Sequence, residues 1–305
     1  MSRKIKISVM SGTRDLRSTT TALASFEIMK DYWRDRFDKV AADKPDYIVL
    51  PEACDRFLDM DESMKIEYGS LRENESPAFF NGLAKEFDSA VIYNIRHDDR
   101  NTTFACSRTG DLAGKYIKTF PMTTEMEQGI IPGKGASIFK LDEISRAGFA
   151  TCFDLNFEEL REEYVQLKPE VIFFNSMYHG GLVQKSWAYT TRAFFVSSIC
   201  GRESAITAPN GRILASTTNY TDYCTAVVNL DSELIHLDFH WDKLDALKKK
   251  YGSGVIIDDV GHLGSVLVSC EMEDKTMGDL INEFEFTKLD DYLDHARTVR
   301  EKHLK

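Results

Sequence analysis

Apolar and polar positions alternate through residues 4–10 with the period of a strand, and residues 21–42 then carry Leu23, Phe26, Ile28, Met29, Trp33, Phe37 and Val40 at roughly helical spacing. A short apolar run over 46–50 follows a Lys-Pro breaker and stops at Pro51-Glu52, so it reads as a buried strand with a carboxylate at its end. The pattern goes on to a helix over 77–87, a strand over 89–95, and two strands, 102–107 and 114–119, joined at Thr109-Gly110-Asp111. Residues 121–135 break the pattern with a stretch rich in Glu, Thr, Gly and Pro, just after Lys118; long loops of this kind in compact domains are often functional. Strands follow over 137–141, 148–152 and 171–176, with a helix over 157–167 whose first turn is acidic. Beyond them the spacing predicts a helix over 185–199 and a hairpin, 204–208 and 212–216, turning at Asn210-Gly211. A strand over 224–230, a helix over 241–251, a strand pair across 261–264 and a terminal helix over 277–301 complete the chain.

Crossovers mixed with hairpins argue for layered sheets flanked by helices instead of one purely parallel sheet. No linker divides the 305 residues, so a single domain over 1–305 is expected. From about 231–305 it carries a C-terminal extension whose helical face, Leu280, Phe284, Leu289, Leu293 and Ala296, is suited to packing on a neighbouring element or a partner subunit.

A hydrophobic content of 43% and a charged content of 29% are those of a globular chain with a sizeable core. The net charge of -11 opposes nucleic-acid binding, which needs clustered Lys and Arg against phosphates. The opening residues carry no apolar signal segment and no later stretch has membrane-spanning length, so a cytoplasmic protein without a membrane partner is expected. Six scattered cysteines show neither C-x-x-C spacing for zinc nor the density of a disulfide scaffold, and most read as small buried hydrophobes.

Three residues stand where chemistry is possible. Cys152 ends a buried run, Gly148–Thr151, shortly before an acidic helix, where N–H groups can face an oxyanion. Lys118 follows an alternating strand, and an ammonium there could stabilise both a thiolate and a tetrahedral oxyanion. Glu52 follows an interior strand and could serve as a general base. Taken one at a time, each has an ordinary alternative: a core cysteine, a solvated lysine, a turn glutamate.

Together, Leu50-Pro51-Glu52, Tyr116-x-Lys118, the Glu-rich loop closing with Pro132-Gly133, and Thr151-Cys152-Phe153-Asp154 with Phe157-x-Glu159-Leu160 resemble the nitrilase superfamily of carbon–nitrogen hydrolases, amidase-like branch. The likeness runs on through Glu170-Val171-Ile172, Arg192-Ala193 and Ser204-Ala205-Ile206 before Pro209-Asn210-Gly211-Arg212, roughly residues 4 to 230 by motif order. It departs at Asn156, where many relatives carry arginine, and in a shorter stretch between Ile199 and Ser204. The resemblance implies an α/β fold, a four-layer α-β-β-α sandwich. It makes Cys152 the nucleophile, Glu52 the general base and Lys118 the stabiliser of the tetrahedral intermediate, with the Phe153 N–H completing the oxyanion hole. A second glutamate in the loop after the lysine is also implied. Glu127, five residues before Pro132, suits the spacing better than Glu125, which stays open as an alternative.

The implied reaction is hydrolysis of a non-peptide carbon–nitrogen bond, amide, carbamoyl or ureido, in a small molecule through a thioester on Cys152. Nitrile hydrolysis by the same cysteine, acyl transfer to another amine, and an inert binding protein on the same fold are the alternatives. No cofactor or metal is expected, because thiol, lysine and carboxylate already supply nucleophile, charge and proton transfer. Tyr178 and His179 are candidate substrate-binding residues, and His179 also invites a rival Cys–His mechanism. A homodimer or larger homo-oligomer is the assembly that the resemblance implies.

Overall fold

The computed structural model describes residues 2–12 and 16–304. Two six-stranded sheets form its centre, in the orders β12-β1-β2-β3-β4-β5 and β11-β10-β9-β8-β7-β6. In the first, β1 (Lys4–Met10), β2 (Tyr47–Val49) and β3 (Ala90–His97) are parallel, while β4 (Arg100–Cys106), β5 (Leu112–Ile117) and β12 (Tyr223–Asn229) run antiparallel to their neighbours. In the second, β7 (Ile144–Thr151), β8 (Val171–Ser176) and β9 (Phe194–Ile199) are parallel, with β6 (Ile138–Leu141), β10 (Ala205–Thr207) and β11 (Ile213–Ser216) completing it antiparallel.

Side-chain alternation divides each central strand between two cores. Tyr47 and Val49 of β2 meet Phe149 of β7 and Val171 and Phe173 of β8 in the layer between the sheets. Their neighbours Ile48 and Leu50 turn outward onto Phe26, Met29, Trp33 and Phe37 of α1 (Ala22–Ala41) and Phe80, Leu83 and Ala84 of α2 (Glu62–Glu86). On the other side Ile172 and Phe174 turn onto Leu160 and Tyr164 of α4 (Glu158–Leu167) and Trp187 and Ala188 of α5 (Leu182–Thr191). Helices, sheet, sheet and helices are therefore stacked in that order, the four-layer sandwich expected from the motifs.

The elements differ from the sequence reading in several places, among them strand β13 (Ser232–His236), which the reading lacks. The helix expected over 77–87 is the last part of α2, which starts at Glu62 behind an Asp61 cap accepting the Met64 N–H at 2.8 Å, and which carries Pro77 inside it. The expected helix over 185–199 is α5 followed by the central strand β9, separated at Arg192, whose φ of 59° is left-handed. Ala193–Val196 is apolar without a break, and period alone cannot separate a buried helix from a buried strand there. The loop 121–135 holds a short helix, α3 (Thr123–Glu127). The terminal helix is two, α7 (Met277–Phe284) and α8 (Leu289–His303), parted by Glu285 at a φ of 51°.

The extension beyond 230 is a small layer of its own. A three-stranded sheet, with β15 (Ser265–Cys270) between β13 (Ser232–His236) and β14 (Val255–Asp258), packs with α6 (Trp241–Tyr251) and α7 around Ile235, Leu247, Val268 and Leu280. Leu234, Leu267 and Leu289 reach back into the core between the large sheets, and Arg212 pairs with Asp258 at 2.7 Å, so the layer is joined to the sandwich by both apolar and ionic contacts. Among the described residues no helix is long and apolar enough to cross a membrane.

Candidate active site

Glu52, Lys118 and Cys152 are brought together where β2, β5 and β7 end. Glu52 follows β2 at a sharp turn in which Ala53 has a φ of 51° and donates its N–H to Asn94 Oδ1 at 2.9 Å. The turn is held from outside, as Trp33 donates its indole N–H to the Cys54 carbonyl at 2.8 Å and buried Asp55 accepts from Ser76 at 2.8 Å and faces Arg72 at 3.3 Å. Lys118 lies just past β5, its N–H donating to the Asn101 carbonyl at 2.9 Å. Its own carbonyl accepts from Gly133 at 2.8 Å. A Cβ on Gly133 would lie 2.2 Å from the Ile117 carbonyl oxygen, so only glycine lets the loop close on the lysine.

The side chains form one buried cluster. Lys118 Nζ donates to Glu52 Oε1 at 3.0 Å and to Glu125 Oε2 at 2.8 Å. Asn101 Nδ2 bridges the same two carboxylates, at 2.8 Å to Glu52 and 3.0 Å to Glu125. Glu52 Oε2 accepts the Met177 N–H at 3.1 Å. Only 1% of Lys118 and 4% of Glu52 is exposed, so the charges act in a medium that screens poorly. Burial alone would pull the Lys118 ammonium down, but Glu52, Cys152 and Glu125 outweigh it and hold the group above its ordinary range. Burial opposes ionisation of Glu125 as well, yet the Lys118 ammonium and the Met122 N–H hold its carboxyl below the usual value.

Cys152 heads a 3-10 turn, Cys152–Asn156, directly after β7, and its φ of 48° is a conformation that non-glycine residues seldom adopt. The first N–H groups of such a turn have no acceptor within it, which leaves the Phe153 amide available beside the sulfur. Glu52 and Ser176 are the side chains that, with Lys118, bear on the ionisation of the thiol. Burial pushes it up to about 12, Glu52 adds to the push, and Lys118 works against it. The resting site therefore holds a neutral thiol against an ion-paired carboxylate, a pair prepared to exchange a proton when an electrophile arrives.

The preference for Glu127 requires correction. Glu125 is the glutamate on Lys118, because as the third residue of α3 its carboxylate folds back to accept the Met122 N–H at 2.8 Å and meets the lysine on the way. Two residues on is about 200° round a helix, and Glu127 is exposed on the far side. Counting back from Pro132 failed because an extra turn, in which the Ile130 N–H donates to the Glu125 carbonyl, lies between. Tyr178 and His179 follow β8 near Met177: Tyr178 is 43% exposed, and His179 Nδ1 accepts the Gly181 N–H at 3.0 Å. The side chains that bear on the thiol's ionisation are Glu52, Lys118 and Ser176, an arrangement unlike a Cys–His pair.

Asn101 and Ser176 were missed. A single asparagine or serine in a strand carries no signal of its own, although Asn101 belongs to a buried polar run, Asn94, Thr103, Thr151 and Asn175, that links the two sheets beneath the site. Among the described residues Glu73 of α2, with His97 and Asp98 at the turn between β3 and β4, is grouped closely enough to hold a metal ion, outside this cluster.

The sequence pattern of the carbon–nitrogen hydrolases matches residues 20–236. The chain belongs to the carbon–nitrogen hydrolase family. Among solved structures this carbon–nitrogen hydrolase is similar to Nit3 of Saccharomyces cerevisiae, described as a member of branch 10 of the nitrilase superfamily, at 15% identity and a TM-score of 0.60 over 82% of this chain and 94% of that one. It is similar to a carbon–nitrogen hydrolase from Helicobacter pylori G27 at 14% identity and a TM-score of 0.62, covering 82% and 93% of the two chains. An amidase from Nesterenkonia aligns at 14% identity and a TM-score of 0.60 over 74% of this chain and 89% of that one. At such identities the likeness is one of fold, that of the nitrilase superfamily. No curated protein sequence matches the chain.

Proposed function

We propose that the protein hydrolyses a non-peptide carbon–nitrogen bond of a small amide, carbamoyl or ureido compound through a thioester on Cys152. The observation that carries this reading is the buried pair of Glu52 and Lys118, 3.0 Å apart, whose two members act in opposite directions on the ionisation of the Cys152 thiol. Glu52 takes the thiol proton as the sulfur attacks the carbonyl carbon, and the oxyanion that forms is met by Lys118 Nζ and the Phe153 N–H. Collapse of the tetrahedral species breaks the carbon–nitrogen bond, and Glu52 returns the proton to the departing nitrogen. Water then enters, Glu52 removes its proton, and attack on the thioester releases the acid and restores the thiol. Glu125 and Asn101 keep the lysine and Glu52 in register throughout.

Membership of the hydrolase family and the similarity to an amidase favour amide-type substrates over nitriles, which the same thiol would attack through a thioimidate. Ammonia release from a panel of small amides, carbamoyl amino acids, ureido acids and nitriles, measured for the parent and for Cys152→Ala, tests the proposal. Release that disappears with the thiol supports it; release that survives in Cys152→Ala overturns it. A symmetric dimer or larger homo-oligomer is proposed on the family resemblance, and a monomeric mass in solution at working concentration would refute it.

A further inference from the structure

Asp154, two residues past the nucleophile position, is fully buried and ties the two halves of the site together. Its Oδ1 accepts the Phe120 N–H at 2.7 Å, and its Oδ2 accepts both the Thr151 N–H at 2.8 Å and the Tyr116 hydroxyl at 2.7 Å. Tyr116 and Phe120 stand two residues on either side of Lys118, and Thr151 immediately precedes Cys152. One carboxylate thus holds the backbone that carries the lysine against the backbone that carries the thiol. Lys118 in turn favours ionisation of Cys152, so the separation of the two segments is read in the acidity of the sulfur.

We propose that Asp154 is a positioning residue whose ionised carboxylate clamps the Lys118 segment to the Cys152 turn, so that protonation of Asp154 slackens the site and sets an acid limit on nucleophile reactivity. The chemistry follows from donor counting. All three partners are donors, so the carboxylate satisfies them only while it carries no proton of its own. A proton on Oδ2 sets an O–H against the Thr151 N–H unless the Tyr116 hydroxyl reverses toward Thr119, whose Oγ1 lies 3.0 Å away. Among the described residues, the charged or titratable groups facing Asp154 are Tyr116 of β5, Lys118 just beyond it and Tyr164 of α4. Lys118 favours the carboxylate, whereas burial opposes it and pushes the group up to about 6, the largest influence on it. The inference rests on the reading of Cys152 and Lys118 as a working pair.

The test is the rate of Cys152 alkylation by iodoacetamide between about pH 5 and 9, followed by mass spectrometry of the Cys152 peptide. It requires no substrate, so a silent ammonia panel would count against the hydrolase reading while leaving this inference to stand or fall separately. The parent is expected to show a break near pH 6, below which the rate falls more steeply than thiol ionisation alone requires. Tyr116→Phe removes one hydrogen bond to the ionised form and moves the break upward by about one unit. A break belonging to Glu52 would not move, because Tyr116 does not touch that group. Asp154→Asn abolishes the break; should that variant fail to fold, Tyr116→Phe decides alone. A parent without a break, or a break in the same place in Tyr116→Phe, overturns the proposal.

Discussion

Replacing Lys118 by methionine keeps an unbranched apolar stem of slightly shorter reach and removes the charge and its donors. In the parent the ammonium lies 3.0 Å from Glu52 and 2.8 Å from Glu125, with 2% of the lysine side chain, 6% of Glu52's and 23% of Glu125's exposed. Lys118→Met leaves Glu52 buried without its cation, a loss of about 3–5 kcal/mol for a broken interior pair, while the wetter Glu125 adds less than about 1 kcal/mol. Against a total stability of about 5–15 kcal/mol this is severe but survivable for many domains. The pH dependence distinguishes this cause from poor packing. Glu125 is held below its ordinary value, so its share of stability is present above its unfolded value and is lost as pH falls through the folded one. Lys118 is held above 10.5, so its share is full below that value and is lost as pH rises through the folded one. The gap between parent and variant in urea unfolding is therefore expected to be flat near neutrality and to close in acid, as the stranded carboxylates take up protons. A gap that persists unchanged from about pH 8 down to about pH 4 would refute the electrostatic reasoning and leave packing as the cause.

Glu125→Gln, which weakens a charge-assisted contact on Lys118, is expected to lower turnover by about 10- to 100-fold, whereas Glu127→Gln should match the parent in the same ammonia-release assay. Glu52→Gln should separate two properties: turnover falls by about 10²–10⁴-fold, yet Cys152 is alkylated faster at alkaline pH, because a charge that raises the thiol has gone. Slower alkylation in that variant would mean that Glu52 stabilises the thiolate instead. Gly133→Ala places a methyl against the Ile117 carbonyl and is expected to cost about 1–3 kcal/mol in thermal or urea unfolding, with a loss of activity as Lys118 is displaced.

Much of the sandwich was legible because its inner strands are short apolar runs ending in turn residues, as at 46–50 before Pro51 and 171–176 before the Gly180-Gly181 loop. What stayed hidden was set by contacts distant in sequence. The strand at 194–199 is a strand because β8 and β10 flank it, and its residues would suit a buried helix equally well. The catalytic candidates were legible as a set of ordered motifs, none of which decides the matter alone. The choice between Glu125 and Glu127 depended on a single turn of helix inside a loop, a matter of phase that counting residues cannot supply. Asn101 was invisible for a similar reason: its importance comes from two carboxylates, 49 and 24 residues away in the chain, that converge on its amide.

The central claim is that the carbon–nitrogen bond breaks with transfer of the acyl group to Cys152. Acid quenching during turnover of the most active amide in the panel, followed by peptide mass spectrometry, tests it directly. The account predicts an acyl adduct on the Cys152 peptide that is released by hydroxylamine, accumulates in the pre-steady state and is absent from Cys152→Ala. Turnover with that peptide unmodified at every quench time, or an acyl group found on another residue, would contradict it.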